Sequence, residues 1–180
     1  MVPGLLLFRK AFVKLALETM KRRILRRVLP GVAAGLALFC TASCTAQVAA
    51  QDRGYWRAES ETATRITGDI GISNTRLSIN FLTFPLVQVR RLTPAETSAA
   101  FDADVNTNPS GTLYRLNIPA GRRFLHRNTL CGTEDTEWMA TYVSDKTLQV
   151  AFFSGDTQPV FTMAALPNSM TLCGSFTYIR

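Results

Sequence analysis

Apolar and polar residues alternate with a period of two through most of the chain beyond residue 70, and this pattern constrains the fold more than any other feature. In Arg76-Leu-Ser-Ile-Asn-Phe81, the residues Leu77, Ile79 and Phe81 share one face, with Arg76, Ser78 and Asn80 opposite. Tyr114, Leu116 and Ile118 alternate with Leu113, Arg115 and Asn117. Trp138, Ala140 and Tyr142 run into a Ser144-Asp145-Lys146 turn, after which Leu148, Val150 and Phe152 return as the clearest hairpin of the chain. Ile66, Ile70 and Ile72, then Val87 and Val89, Val160 and Phe161, and Phe176 and Tyr178 supply further strands. Successive strand residues point to opposite faces, so each segment needs one buried side. About seven to nine short strands at intervals of roughly ten residues predict one small antiparallel β-barrel or sandwich. A barrel is preferred, because closure leaves no exposed edge on a small domain.

One short helix interrupts the strands. Thr93-Pro94-Ala95-Glu96 offers a capping threonine, proline at the first helical position and glutamate at the third, which predicts a helix near 94–102. Phe152-Phe153 puts adjacent aromatics on both faces of one strand, so one of them faces outward, with a helix as its ordinary cover.

Charge divides the chain. Of 20 basic and 13 acidic residues, eight basic and one acidic lie in the first 50, which leaves 12 of each sign in residues 51–180. The net +7 therefore belongs to the leader, and the compositional argument for nucleic-acid binding disappears with it. Residues 20–50 read as a secretory signal peptide: Lys21–Arg27 is basic, Val28–Phe39 is apolar, and Val48-Ala49-Ala50 offers small residues before a mature start at Gln51. The apolar stretch carries Pro30 and is shorter than the roughly 20 residues that span a bilayer. Residues 1–19 are an upstream extension ahead of the start expected at Met20, and 51–180 form a single domain. Cys44, preceded by Ser43, is the candidate for lipidation in the alternative lipoprotein signal, which would leave the chain as a membrane-anchored lipoprotein. The expected location is periplasmic or secreted.

Cysteine use agrees with export. Cys131 and Cys173 sit in the near-repeats Leu130-Cys-Gly-Thr133 and Leu172-Cys-Gly-Ser175, and an even number in an exported domain predicts a disulfide. No second cysteine stands two residues away and His126 is the only histidine, so a thiolate metal site is not expected.

Catalytic patterns are weak. There is no Gly-x-Ser-x-Gly turn to present a nucleophile, and His126 lies in the basic run Arg122-Arg123-Phe-Leu-His126-Arg127. Asp102 with Asp104, and Glu134-Asp135 with Glu137, are neighbouring acids in loops, not carboxylates facing each other across a cleft. Asp102-Ala-Asp104-Val-Asn106-Thr-Asn108 imitates half of a calcium loop, but Thr107 and Leu113 stand where glycine and the bidentate glutamate belong. Asx turns account for the same residues. Neither an enzyme nor a cofactor is expected, and neither is a nucleic-acid partner. The candidate binding residues are Arg122, Arg123, His126 and Arg127 in the loop 119–128, and Asp102 and Asp104 in the loop 102–111. The acids Glu134, Asp135 and Glu137 are expected to pair with that basic cluster.

Gly54-Tyr55-Trp56 resembles the Gly-x-Trp that opens the first strand of lipocalins. The resemblance implies that Trp56 plugs the closed end of a barrel, with Arg180 or another late arginine stacked on it. The general design is also similar to small exported inhibitor barrels of bacterial envelopes, such as lysozyme and metalloprotease inhibitors, in architecture and location only. The expected function is non-catalytic binding of an envelope protein or small ligand through barrel-end loops. The alternatives are a hydrolase inhibitor and a lipocalin-like carrier, the latter needing an interior cavity lined by Trp56, Tyr114 and Tyr142. An accessory subunit of an envelope complex is a third reading.

Overall fold

A computed structural model describes residues 51–180; the expected extension 1–19, the expected signal peptide 20–50 and Cys44 lie outside the described residues. Eight strands form a closed barrel in which each pairs antiparallel with the next and the last returns to the first. They are β1 (Gly54–Ala58), β2 (Ile70–Ile72), β3 (Arg76–Ile79), β4 (Leu82–Arg91), β5 (Thr112–Ile118), β6 (Thr136–Ser144), β7 (Thr147–Ser154) and β8 (Leu172–Ile179). The alternation works as predicted in β3, β5, β7 and β8, whereas in β6 Trp138, Ala140 and Tyr142 face outward and Met139 faces in. Leu77 and Ile79, Tyr114, Leu116 and Ile118, Leu148, Val150 and Phe152, and Phe176 and Tyr178 all turn inward and are buried.

The predicted helix is α2 (Pro94–Phe101), and Asp102 ends it in the left-handed conformation at φ 53°. Its capping box is reinforced from outside. Arg90 donates from both terminal nitrogens to Glu96 at 2.8 and 2.7 Å, and the Thr93 N–H donates to Glu96 Oε2 at 2.9 Å. The Arg90 hydrogen bonds, ahead of those from Thr93, hold the Glu96 carboxyl down at about 2, from an ordinary 4.5, against the opposing effect of burial. A carboxyl depressed in the folded state stabilises the fold above its unfolded value, and that contribution is lost as the pH falls toward the folded one. Urea midpoints should therefore decline between about pH 4.5 and pH 2, and Glu96→Gln should remove part of that decline. An identical pH profile in the variant would show that Glu96 contributes nothing to it.

A second helix, α1 (Glu61–Ile66), was not expected; the Ser60 side chain caps it by accepting from the Ala63 N–H. Ile66 thus ends a helix and does not enter a strand. Val160 and Phe161 likewise belong to the β7–β8 connection, where Val160 is exposed and Phe161 is buried. Val87 and Val89 do lie in a strand, but on its outer, exposed side. Phe81, read as the third residue of an inward face, instead occupies the two-residue β3–β4 turn with Asn80 and is fully exposed.

Part of the outer wall carries a second apolar layer. Leu113, Trp138, Ala140, Ala151 and Phe153 point outward from β5, β6 and β7 and are covered by α2 and the β7–β8 connection. Phe101 stacks on Tyr142 with centroids 5.9 Å apart, and Phe161 meets Phe153 edge-on at 5.7 Å. The outward member of the Phe152-Phe153 pair is therefore Phe153, and a loop supplies its nearest cover. A register shift between Thr136 and Trp138 leaves Glu137 as the extra residue, and it forms an ion pair with Arg115.

Candidate functional site

An up-and-down barrel sends alternate connections to opposite ends. The β1–β2, β3–β4, β5–β6 and β7–β8 connections gather at one end, which also holds the Cys131–Cys173 disulfide with its Cα atoms 4.8 Å apart. The β2–β3, β4–β5 and β6–β7 connections share the other end with Gln51–Arg53 and Arg180. The two loops expected to bind are consequently not one site. Asp102 and Asp104, between β4 and β5, lie at the opposite end from Arg122, Arg123, His126 and Arg127, between β5 and β6.

At the disulfide end the basic loop is held from several directions. Phe124 is buried and meets Phe84 at 6.1 Å, anchoring the loop in the barrel interior. The Phe124 N–H donates to Asn128 O at 2.8 Å, and Asn128 Nδ2 donates to Arg65 O of α1 at 3.1 Å. Between these anchors His126 and Arg127 both adopt left-handed conformations, at φ 52° and 62°, which non-glycine residues rarely adopt in succession. Arg122, Arg123, His126 and Arg127 are all exposed, and among the described residues none of them forms an ion pair. The expected neutralisation by neighbouring acids does not occur. Glu137 pairs with Arg115, and Asp135 accepts from the Ala120 N–H at 2.8 Å, which uses it to shape the turn. His126 forms no hydrogen bond to a carboxylate or a nucleophile among the described residues.

At the end that holds Gln51–Arg53 and Arg180, Asp104 Oδ1 accepts from the N–H and Nδ2 of Asn106, each at 2.9 Å, so its carboxylate caps a short 3₁₀ turn over 105–107. Asp102 is the exposed last residue of α2's cap. Among the described residues no three His, Cys, Asp or Glu side chains approach closely enough to hold a metal ion.

The Gly54-Tyr-Trp56 arrangement has the geometry the lipocalin resemblance implies. Trp56 is wholly buried, Arg180 lies over its ring at 4.3 Å, and its Nε1–H donates to Asp52 O at 2.8 Å. A carrier cavity lined by Trp56, Tyr114 and Tyr142 is not formed, because Tyr142 lies on the outer wall against Phe101 while the other two are inside. Burial drives the Tyr114 hydroxyl pKa well above its ordinary value.

Three features escaped sequence reasoning. Asp52 resembles a solvated acid near a terminus, yet it is buried beneath the barrel. Its Oδ2 accepts from Tyr114 and Thr141 hydroxyls at 2.7 and 2.6 Å, whereas its equally buried Oδ1 has no partner. Second, the Ser-Gly-x-x-Tyr loop of the lysozyme-inhibitor barrels, expected to be absent, is matched in spacing by Ser110-Gly111-Thr112-Leu113-Tyr114. Much of that pattern serves packing here: a Cβ on Gly111 would stand 2.6 Å from Thr141 O, and Tyr114 is buried on Asp52. Ser110 remains exposed, accepting from Arg91 Nε at 3.0 Å. Third, a groove of about 540 Å³ runs along the outer wall of β1–β4, between Tyr55 and Phe81. No helix among the described residues is long and apolar enough to cross a membrane. Compared with known proteins, the chain matches no protein-family model, no curated protein and no solved structure.

Proposed function

We propose that this chain is an exported, non-catalytic binding barrel of the bacterial envelope that engages an anionic protein surface or envelope molecule through its basic loop. The observation that carries this reading is the set of three unpaired arginines, Arg122, Arg123 and Arg127, displayed beside the disulfide on a loop with two consecutive left-handed residues. Strained, well-anchored backbone at an exposed loop favours recognition, since the bound geometry is set before the partner arrives. Arginine is also the cation best suited to forked contacts with carboxylate or phosphate. The basic leader and the disulfide support export. The exposed, unpartnered state of the sole histidine supports a non-catalytic role.

A second reading, inhibition of a hydrolase, would use the exposed Ser110 and the 102–111 loop that precedes β5, at the opposite end of the barrel. Separation of the ends makes the two readings distinguishable. The protein is recovered from its native envelope together with whatever it holds, and the complexes are weighed by native mass spectrometry. The triple variant Arg122→Gln, Arg123→Gln, Arg127→Gln should lose the bound partner without a change in thermal midpoint, while shortening of the 102–111 loop should leave it in place. Loss with the shortened loop alone would favour the inhibitor reading. Retention by the triple variant would overturn the basic-loop reading.

A further inference from the structure

A groove, the most exposed aromatic of the described residues and a turn with two positive φ values coincide at one place on the side wall. Tyr55, Gly71, Ser78 and Thr83 are paired in register across β1, β2, β3 and β4, so they form one row on the outer face. Three strand spacings make that row about 14 Å long. Its middle is floored by glycine and serine, and an aromatic ring rises at each end: Tyr55, 66% exposed, and Phe81, 102% exposed. Phe81 stands at φ 66° and Asn80 at φ 46°. A two-residue turn with both φ values positive favours Asn-Gly, and a bulky side chain at the second position is an outlier. The fold gains no burial from Phe81, so packing does not explain why a phenylalanine stands there.

We propose that this groove is a binding site for a neutral disaccharide. The lining decides the class of ligand. Asp69 is the only charged side chain in it, and both its oxygens are already used, Oδ1 by the Ala58 N–H at 2.9 Å and Oδ2 by the Tyr55 hydroxyl at 2.5 Å. An anionic ligand would meet a carboxylate in the lining, where no arginine or lysine stands, and a cation would find that carboxylate already engaged. A wholly apolar ligand would desolvate Ser78, Thr83 and Asn80 without returning hydrogen bonds. A sugar presents an apolar C–H face to an aromatic ring and hydroxyls to the groove's polar side chains and backbone, and two rings suit a trough of this length. Gly71 keeps the floor open by choice of residue and not by necessity: a Cβ there would sit 3.6 Å from Ser78 Cβ, an ordinary contact.

The basic loop borders this groove, since Leu125 packs on Gly68 of its lining, but none of Arg122, Arg123 and Arg127 lines it, so the arginine variants above should leave disaccharide binding unaffected. Amide shifts of the ¹⁵N-labelled protein are followed while cellobiose, maltose or N,N′-diacetylchitobiose is added, with choline and cyclohexanol as comparison probes. At least one disaccharide should give saturable shifts confined to Tyr55, Gly71, Ser78 and Asn80–Thr83. Phe81→Gly should weaken binding at least tenfold while raising the unfolding midpoint, because it relieves the turn. Gly71→Val should abolish the saturable shifts. If Gly71→Val fails to fold, Phe81→Gly still decides the matter. The proposal is overturned if no disaccharide saturates, if Phe81→Gly binds as the parent does, or if choline or cyclohexanol binds as tightly as the best disaccharide.

Discussion

Trp56→Ala should destabilise the domain by about 4 kcal/mol, read from urea unfolding followed by circular dichroism. Removing a buried tryptophan costs the transfer energy of the ring and leaves a cavity that a closed barrel cannot readily collapse around. Here two further attachments depend on the ring. It faces Arg180 at 4.3 Å, and its Nε1–H satisfies Asp52 O at 2.8 Å. Arg180 donates to Gln51 O and Arg53 O, each at 3.2 Å, so the loss of the ring also loosens what joins the segment before β1 to the end of β8. Arg180→Ala alone should cost much less, about 1 kcal/mol, because a partly solvated cation–π contact is worth little by itself. A Trp56→Ala cost below about 2 kcal/mol would mean that the interior refills the space and that Trp56 does not close this end.

Replacing Cys131 and Cys173 together by serine should cost a similar amount, about 4 kcal/mol, by a different route. The bond closes a loop of about 43 residues that contains β6, β7 and the long β7–β8 connection. In the native barrel those elements are already tied together, because β6 pairs with β7 along nearly its whole length and β7 pairs with β8. The bond therefore adds little to the folded state and acts mainly by restricting the unfolded chain. Refolding should slow more than unfolding accelerates, which stopped-flow dilution from urea would measure. A loss below about 1 kcal/mol would place residual structure in the reduced unfolded chain.

The strand pattern was legible where residues on one face are apolar and their neighbours are not, as in Tyr114, Leu116 and Ile118. It failed where burial is decided by something distant in sequence. Phe81 continues the alternation of β3 but lies past the last paired residue, Ile79, so a turn overrides the periodicity. Ile66 looked like strand because a single apolar residue carries no period, and α1, at six residues, is too short to show one. The capping box at Thr93 and the cysteine pair were readable because their chemistry is local or forced by number. The candidate site was less accessible. Arg122, Arg123, His126 and Arg127 were identified as a group, but sequence could not show that the neighbouring acids are engaged elsewhere, nor that Asp102 and Asp104 lie at the far end. The trough needs Tyr55, Gly71, Ser78 and Thr83 side by side, a register spread over four strands, and no local pattern announces it.

The seam between β1 and β8 is the shortest pairing in the barrel, with Arg57 opposite Ile179 and Ala58 opposite Tyr178. It joins the first strand of the described domain to the last, so it is the contact a folding chain must wait longest to make. Gln51–Arg53 and Arg180 lie beside it at one end of the molecule. A mechanical load applied between Gln51 and Arg180 would therefore peel the seam open one hydrogen bond at a time, instead of shearing many at once. The barrel would yield first at the Trp56–Arg180 closure, while the disulfide kept Cys131 joined to the start of β8 at the opposite end.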